Sequence, residues 1–98
     1  MTYRVAFRRA AAAEYADAAR WYEERAAGVG HRSIKRIEQA LALISQAPFR
    51  PATILAKVRR VKTQEFPFFV YYLVEDSRIV VLAIFHARRN PAIWRRRK

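Results

Sequence analysis

The chain has 98 residues, 53% of them apolar, with 20 basic side chains against 8 acidic ones, a net charge of +12 and no cysteine. That length sets an expectation of one domain, 1–98, and the apolar content excludes a disordered polymer. Without cysteine there are no disulfides and no thiolate metal site, and charges interrupt every apolar run before it spans a membrane.

Tyr3 to Phe7 alternates in character and predicts a short strand with Tyr3, Val5 and Phe7 on one face. Arg8 to Ala27 is rich in Ala, Glu and Arg, and predicts a helix. Its buried stripe is Ala11, Tyr15, Ala18, Ala19, Tyr22 and Ala26, with Trp21 at the edge. Glu23 and Glu24 point to different helix sides and read as solvated charge rather than a catalytic pair. Gly28-Val29-Gly30 closes this helix and turns the chain. A second helix is expected from His31 to Gln46, with Ile34, Ile37, Leu41 and Ile44 as its seam, ended by Pro48. So short a link makes the pair an antiparallel hairpin.

After a loop at residues 49–53, Ile54 to Thr63 predicts one strand with a wet, basic face. Phe68 to Val74 is apolar on both faces and predicts a central strand. A polar hairpin at residues 75–78 leads to a last strand from Ile79 to Phe85. Asn90-Pro91 fits the cap and first position of a short C-terminal helix or tail. The order is β-α-α-β-β-β plus this tail. It implies an α+β, two-layer fold with the helix hairpin on one face of an antiparallel sheet and the other face left for a partner.

Charge is unevenly spread. From Arg50 to Gln64 the ionisable groups are all bases, and after Asp76 there is no acid. Such asymmetry points to nucleic acid or an acidic protein as partner. No Gly-rich phosphate loop is present, and with only His31 and His86 a multi-histidine metal site is excluded. No metal or other cofactor is therefore expected. A metal-free ribonuclease remains open, since bases and aromatic groups alone hold a phosphate and move protons. Its parts would come from Lys57, Arg59, Arg60, Tyr71, Tyr72, His86, Arg88 and Arg89. Tyr71 and Tyr72 face opposite ways, so one belongs to the core. His86 reads either as a strand-terminal histidine bonded to backbone or as a site residue, and Arg88 and Arg89 either as a solvated face or as part of that site.

From Phe66-Pro67-Phe68 through the polar hairpin to His86-Ala87-Arg88-Arg89-Asn90-Pro91-Ala92-Ile93-Trp94, the chain resembles the RelE/ParE superfamily of type II toxin–antitoxin toxins, on the ParE-like side. The early Ala-x-x-Glu-Tyr helix and the Gly28–Gly30 turn fit as well. The resemblance implies a cytoplasmic, growth-arresting toxin, as in plasmid stabilisation, neutralised by a cognate acidic antitoxin and meeting operator DNA only through the complex with it. RelE-like members cleave mRNA on the ribosome without a metal; ParE-like members inhibit DNA gyrase and block replication. RelE-like sites combine strand bases with a C-terminal tyrosine or histidine. Here Trp94 stands near that place and has no titratable proton, which favours gyrase as target. The expected target-binding residues are Lys57, Arg59, Arg60, His86, Arg88, Arg89 and Trp94. In the ribonuclease alternative, Arg60, Tyr72, His86 and Arg88 would be catalytic. A second alternative is an inactive basic domain serving with its antitoxin at operator DNA. Tyr15, Trp21 and Tyr22 are the candidates for an antitoxin groove or, equally, for plain core packing.

Overall fold

A computed structural model describes residues 3–87. The elements run β1 (Arg4–Phe7), α1 (Arg9–Arg25), α2 (Val29–Gln46), β2 (Thr53–Leu55), β3 (Val58–Lys62), β4 (Phe68–Glu75) and β5 (Arg78–His86). They form one five-stranded sheet in the order β1-β5-β4-β3-β2 with a helix hairpin on one face. The α+β two-layer architecture is the one expected. The helix expected at Asn90-Pro91 lies outside the described residues.

Three differences in detail have physical causes. The strand expected from Ile54 to Thr63 is two, giving β-α-α-β-β-β-β, because Ala56 adopts a positive φ of 50° and turns the chain at Lys57. The sheet is not wholly antiparallel: β1 pairs parallel with β5, since the helix hairpin returns the chain across the sheet. Gly30 lies inside α2 rather than in the turn. A Cβ there would stand 2.4 Å from the Ala19 carbonyl oxygen and 2.8 Å from Glu23 Cβ, so its lack of a side chain is what lets the helices cross closely. Gly28 alone makes the turn, at φ 86°.

Glu23 is not merely solvated. Its carboxylate accepts hydrogen bonds from the Gly28 N–H at 2.9 Å and the Gly30 N–H at 3.0 Å. These are donors that the first turn of α2 cannot satisfy internally. Ser45 ties the other end of α2 to β1, its hydroxyl donating to the Tyr3 carbonyl at 2.6 Å.

Both faces of the central strands are buried. Toward the helices lie Phe68, Val70, Tyr72, Ile79, Val81 and Ile84, packed on Ala11, Ala18, Ile37, Ala40 and Ile44. The opposite face carries Val58, Tyr71, Leu73, Val80, Leu82 and Phe85, all buried as well. The expectation that this face is left open is corrected. Large apolar groups there are out of water, each worth about 1.5–3 kcal/mol on burial. Tyr71 and Tyr72 do face opposite ways, but both are core rather than one.

One irregularity decides where the end of β5 points. Tyr71 pairs with Ala83, yet Tyr72 pairs with Val81, so β5 carries an extra residue, Leu82. Such a bulge resets the alternation of side chains. Leu82 and Ala83 both join the opposite face, and Ile84 returns to the helix side.

Candidate functional site

The reset at Leu82 brings His86 under α1. Its ring meets Phe68 edge-on at 5.7 Å between centroids. Phe68, Ile84 and His86 form one wall of a cleft of about 360 Å³, and Glu14, Asp17, Ala18, Trp21 and Tyr22 of α1 form the other. The alanine-rich stripe makes this shape. Ala18, buried and small, leaves room between helix and strand, and Trp21 and Tyr22 line the cleft beside it.

Trp21 is 49% exposed, with the Arg25 guanidinium 3.4 Å above its ring and Tyr22 edge-on at 4.9 Å. Tyr22 in turn packs on Phe66 at 4.8 Å. Burial raises the Tyr22 phenol pKa above its usual value. Of the three residues expected in the antitoxin groove, Trp21 and Tyr22 share this cleft. Tyr15 does not line it: its ring packs on Phe7 at 5.7 Å. Burial, with the nearby Glu38 charge, raises the Tyr15 pKa.

Glu14 is a residue that the sequence did not single out. β1 pairs with β5 only as far as Val81, because the chain then leaves the sheet to start α1. The next stretch of β5 has no strand beside it there. Glu14 reaches down from α1, and its Oε1 accepts the Ile84 N–H at 3.0 Å. A carboxylate of the helix thus stands in for a ladder partner, satisfying a backbone donor. The only sequence signal was its place in the Ala-x-x-Glu-Tyr run.

The basic residues lie elsewhere. Arg59 pairs opposite Tyr72, and Arg60 opposite Tyr71, so adjacent arginines take opposite faces of β3. Arg59 turns to the helix side and is used internally. Its Nη1 donates to the carbonyls of Phe49 and Pro51, and its guanidinium lies 5.3 Å from the Phe49 ring. The Tyr72 hydroxyl donates to the Pro48 carbonyl at 2.7 Å. Together they pin the loop between α2 and β2. Burial raises the Tyr72 pKa, which Arg59 partly offsets. Tyr72, the tyrosine of the ribonuclease alternative, is 0% exposed, with its hydroxyl bonded inside the fold. Arg59, expected among the target-binding residues, is half-buried against this loop.

Arg60 is exposed on the opposite face, its guanidinium 4.3 Å from the Phe69 ring. Lys57, in the β2–β3 turn, and Lys62 are also exposed. His86 and Arg60, expected to act together, sit on different faces of the sheet. Arg88, Arg89 and Trp94 lie outside the described residues. Among the described residues, no three acidic or histidine side chains gather as metal ligands. None of the described helices is long and apolar enough to cross a membrane.

A family model described as the ParE toxin of the type II toxin–antitoxin system, parDE, matches residues 5–91. The chain belongs to the ParE toxin family. The matched stretch takes in every described element except the first residue of β1. Two solved structures share the fold of this ParE-family chain. One is a chain of the chromosomal ParDE TA system from P. aeruginosa, 18% identical, with a TM-score of 0.77 over 89% of this chain and 98% of that one. The other is a mutant of E. coli toxin RelE in the free state, 13% identical, with a TM-score of 0.60 over 99% and 94%. A search of curated proteins finds no match.

Proposed function

We propose that this ParE-family chain inhibits DNA gyrase and is neutralised by a cognate antitoxin. The split of the basic and titratable groups carries the reading for the target. RNA cleavage without a metal needs a proton acceptor and donor positioned around one phosphate with cations beside it. Here Arg60 and His86 are on opposite faces, and the Tyr72 hydroxyl is bonded to the Pro48 carbonyl. Those described residues do not assemble that set, which favours a toxin that works by binding.

The family description supports the antitoxin, and the cleft beside α1 supports its docking place. Trp21 and Tyr22 offer large, partly exposed aromatic surface, of the kind that anchors a helix or strand by its apolar side chains. Arg20 and Arg25, exposed on the same helix, provide attraction for acidic groups of the bound segment.

Plasmid supercoiling by purified gyrase tests the target. Added in excess, the protein should abolish supercoiling. Full supercoiling, together with cutting of mRNA on programmed ribosomes, would overturn the reading in favour of the interferase.

A further inference from the structure

We propose that the groove between the C-terminal half of α2 and the loop before β2 receives an acidic, amphipathic peptide segment of a protein partner. An aliphatic side chain of that segment seats against Leu43 and Val61, and a carboxylate beside it meets Arg50. The groove is separate from the α1 cleft, since no residue lines both.

The loop that walls the groove is held at nearly every carbonyl. The Ala47 carbonyl accepts the Arg50 N–H at 3.2 Å, and the Pro48 carbonyl accepts the Tyr72 hydroxyl at 2.7 Å. The carbonyls of Phe49 and Pro51 accept from Arg59 Nη1. Two side chains of the sheet thus reach out to fix a loop that itself displays Phe49, 58% exposed, and Arg50 to water. A loop fixed in advance loses little freedom when a partner arrives. Loops set on a rigid scaffold are also where contact residues gather.

Lining and charge select the occupant. The groove encloses about 420 Å³, with Ile44, Ala47, Pro51 and Val61 as largely aliphatic walls and Leu43, 59% exposed, among its lining. Arg50 is the one charged residue that lines it, and no acid does. Exposed cations are common on this chain; Arg50 lines an apolar cavity as well. The whole stretch from Gln39 to Gln64 lacks an acid, and Glu65 beyond it is held by Arg32 and Arg36. Among the described residues, that stretch carries three of the four exposed large apolar side chains: Leu43, Phe49 and Ile54. An aliphatic wall with one cation matches a leucine-like side chain next to a carboxylate. Nucleic acid fits less well, because its bases stack on aromatic faces and none lines the groove. A second copy placed about a two-fold axis would set two acid-free stretches together, cation against cation.

The probe is a labelled peptide of leucine and glutamate in amphipathic order, its binding to the full chain read by fluorescence anisotropy. Leu43→Ser should weaken binding about tenfold. Arg50→Gln should weaken it about threefold, an effect that fades as salt is raised. Ile54→Ser and Lys35→Gln remove an exposed apolar group and a charge outside the groove, and should leave the affinity as it was. Glutamine for glutamate, or serine for leucine, in the peptide should also weaken binding. Leu43 and Arg50 are both exposed, so their variants keep the fold. On the unmodified chain the peptide should move amide NMR signals at residues 43–51 and at Val61. Full affinity in Leu43→Ser, an equal loss in the two control variants, or signals that move at Ala18, Trp21 and Ile84 instead overturns the proposal. So does a dimer of the unmodified chain that Leu43→Ser dissolves, or movement of the groove signals by a DNA duplex and not by the peptide. Neither gyrase nor an antitoxin is in the assay, so its failure leaves the supercoiling result standing.

Discussion

On the helix side of the sheet, three arginines are tied to the fold. Arg36 and Arg32 both reach Glu65, and Arg59 donates to two loop carbonyls. On β3 and the turn before it, Lys57, Arg60 and Lys62 stand exposed with no carboxylate in their segment, and Arg60 lies against the Phe69 ring. Residue type is the same in both regions; the difference is what lies within reach. Arg59 and Arg60 make the point most sharply, being neighbours in sequence with opposite fates. Strand alternation sends one to a loop in need of donors and the other to water. Charge thus serves the architecture in one region and stays exposed in the other. Substitutions should separate the two by what they damage.

The largest loss should come where the helix layer is tightest. Gly30→Ala places a methyl group 2.4 Å from the Ala19 carbonyl oxygen, a clash with backbone that no rotamer change relieves. Overpacking of this kind should cost about 3 kcal/mol, read as a fall in urea midpoint with little change in slope. A loss below about 0.5 kcal/mol would show that the helices slide apart freely.

Next comes Tyr72→Phe. It removes the hydroxyl that donates to the Pro48 carbonyl and leaves that oxygen without the bond, a cost of about 1–2 kcal/mol. Stability should fall while toxicity per folded molecule and gyrase inhibition stay as they were. If growth arrest instead vanished with the fold intact, Tyr72 would be functional and the internal role given to it would be wrong.

Much of this was readable in the chain, and the unreadable parts share a cause. The helix hairpin follows from the spacing of Ala11, Tyr15 and Ala18 in α1 and of Ile37 and Ile44 in α2, and from a glycine between them. Strands β4 and β5 follow from uninterrupted apolar runs. Those same runs hide the bulge: from Ile79 to Phe85 no polar residue marks a face, so the extra residue at Leu82 leaves no trace in the pattern. The placement of His86 depended on that trace, and so did its expected partnership with Arg60. Glu14 went unnoticed, and Glu23 was misjudged, for a related reason. Their partners are backbone N–H groups, which every residue has, so composition gives no sign of them. Tyr72 was uncertain because adjacent tyrosines differ only in the face they take, and both faces proved buried.

The smallest effect is expected from the charges, and it bears most directly on the contrast between the two regions. A hydrogen bond from Arg36, aided by Arg32, holds the Glu65 carboxyl below its usual value of 4.5. The folded chain therefore gives up that proton more readily than the unfolded one. The stabilisation is complete above the usual carboxylate range and is lost as pH falls through the lowered folded value. Both partners are solvent-accessible, so the contribution is modest and salt-sensitive. Glu65→Gln should remove that part of the acid dependence, seen as a shallower fall in melting temperature below about pH 4.5. The pair Lys57→Gln and Lys62→Gln should do the reverse. With no carboxylate to lose, stability should stay within about 0.5 kcal/mol at neutral pH and keep the full acid dependence of the unmodified chain. Were the lysine pair to flatten the acid limb as Glu65→Gln does, those lysines would be holding the fold after all. Lys57 and Lys62 would then belong with the arginines that hold the fold.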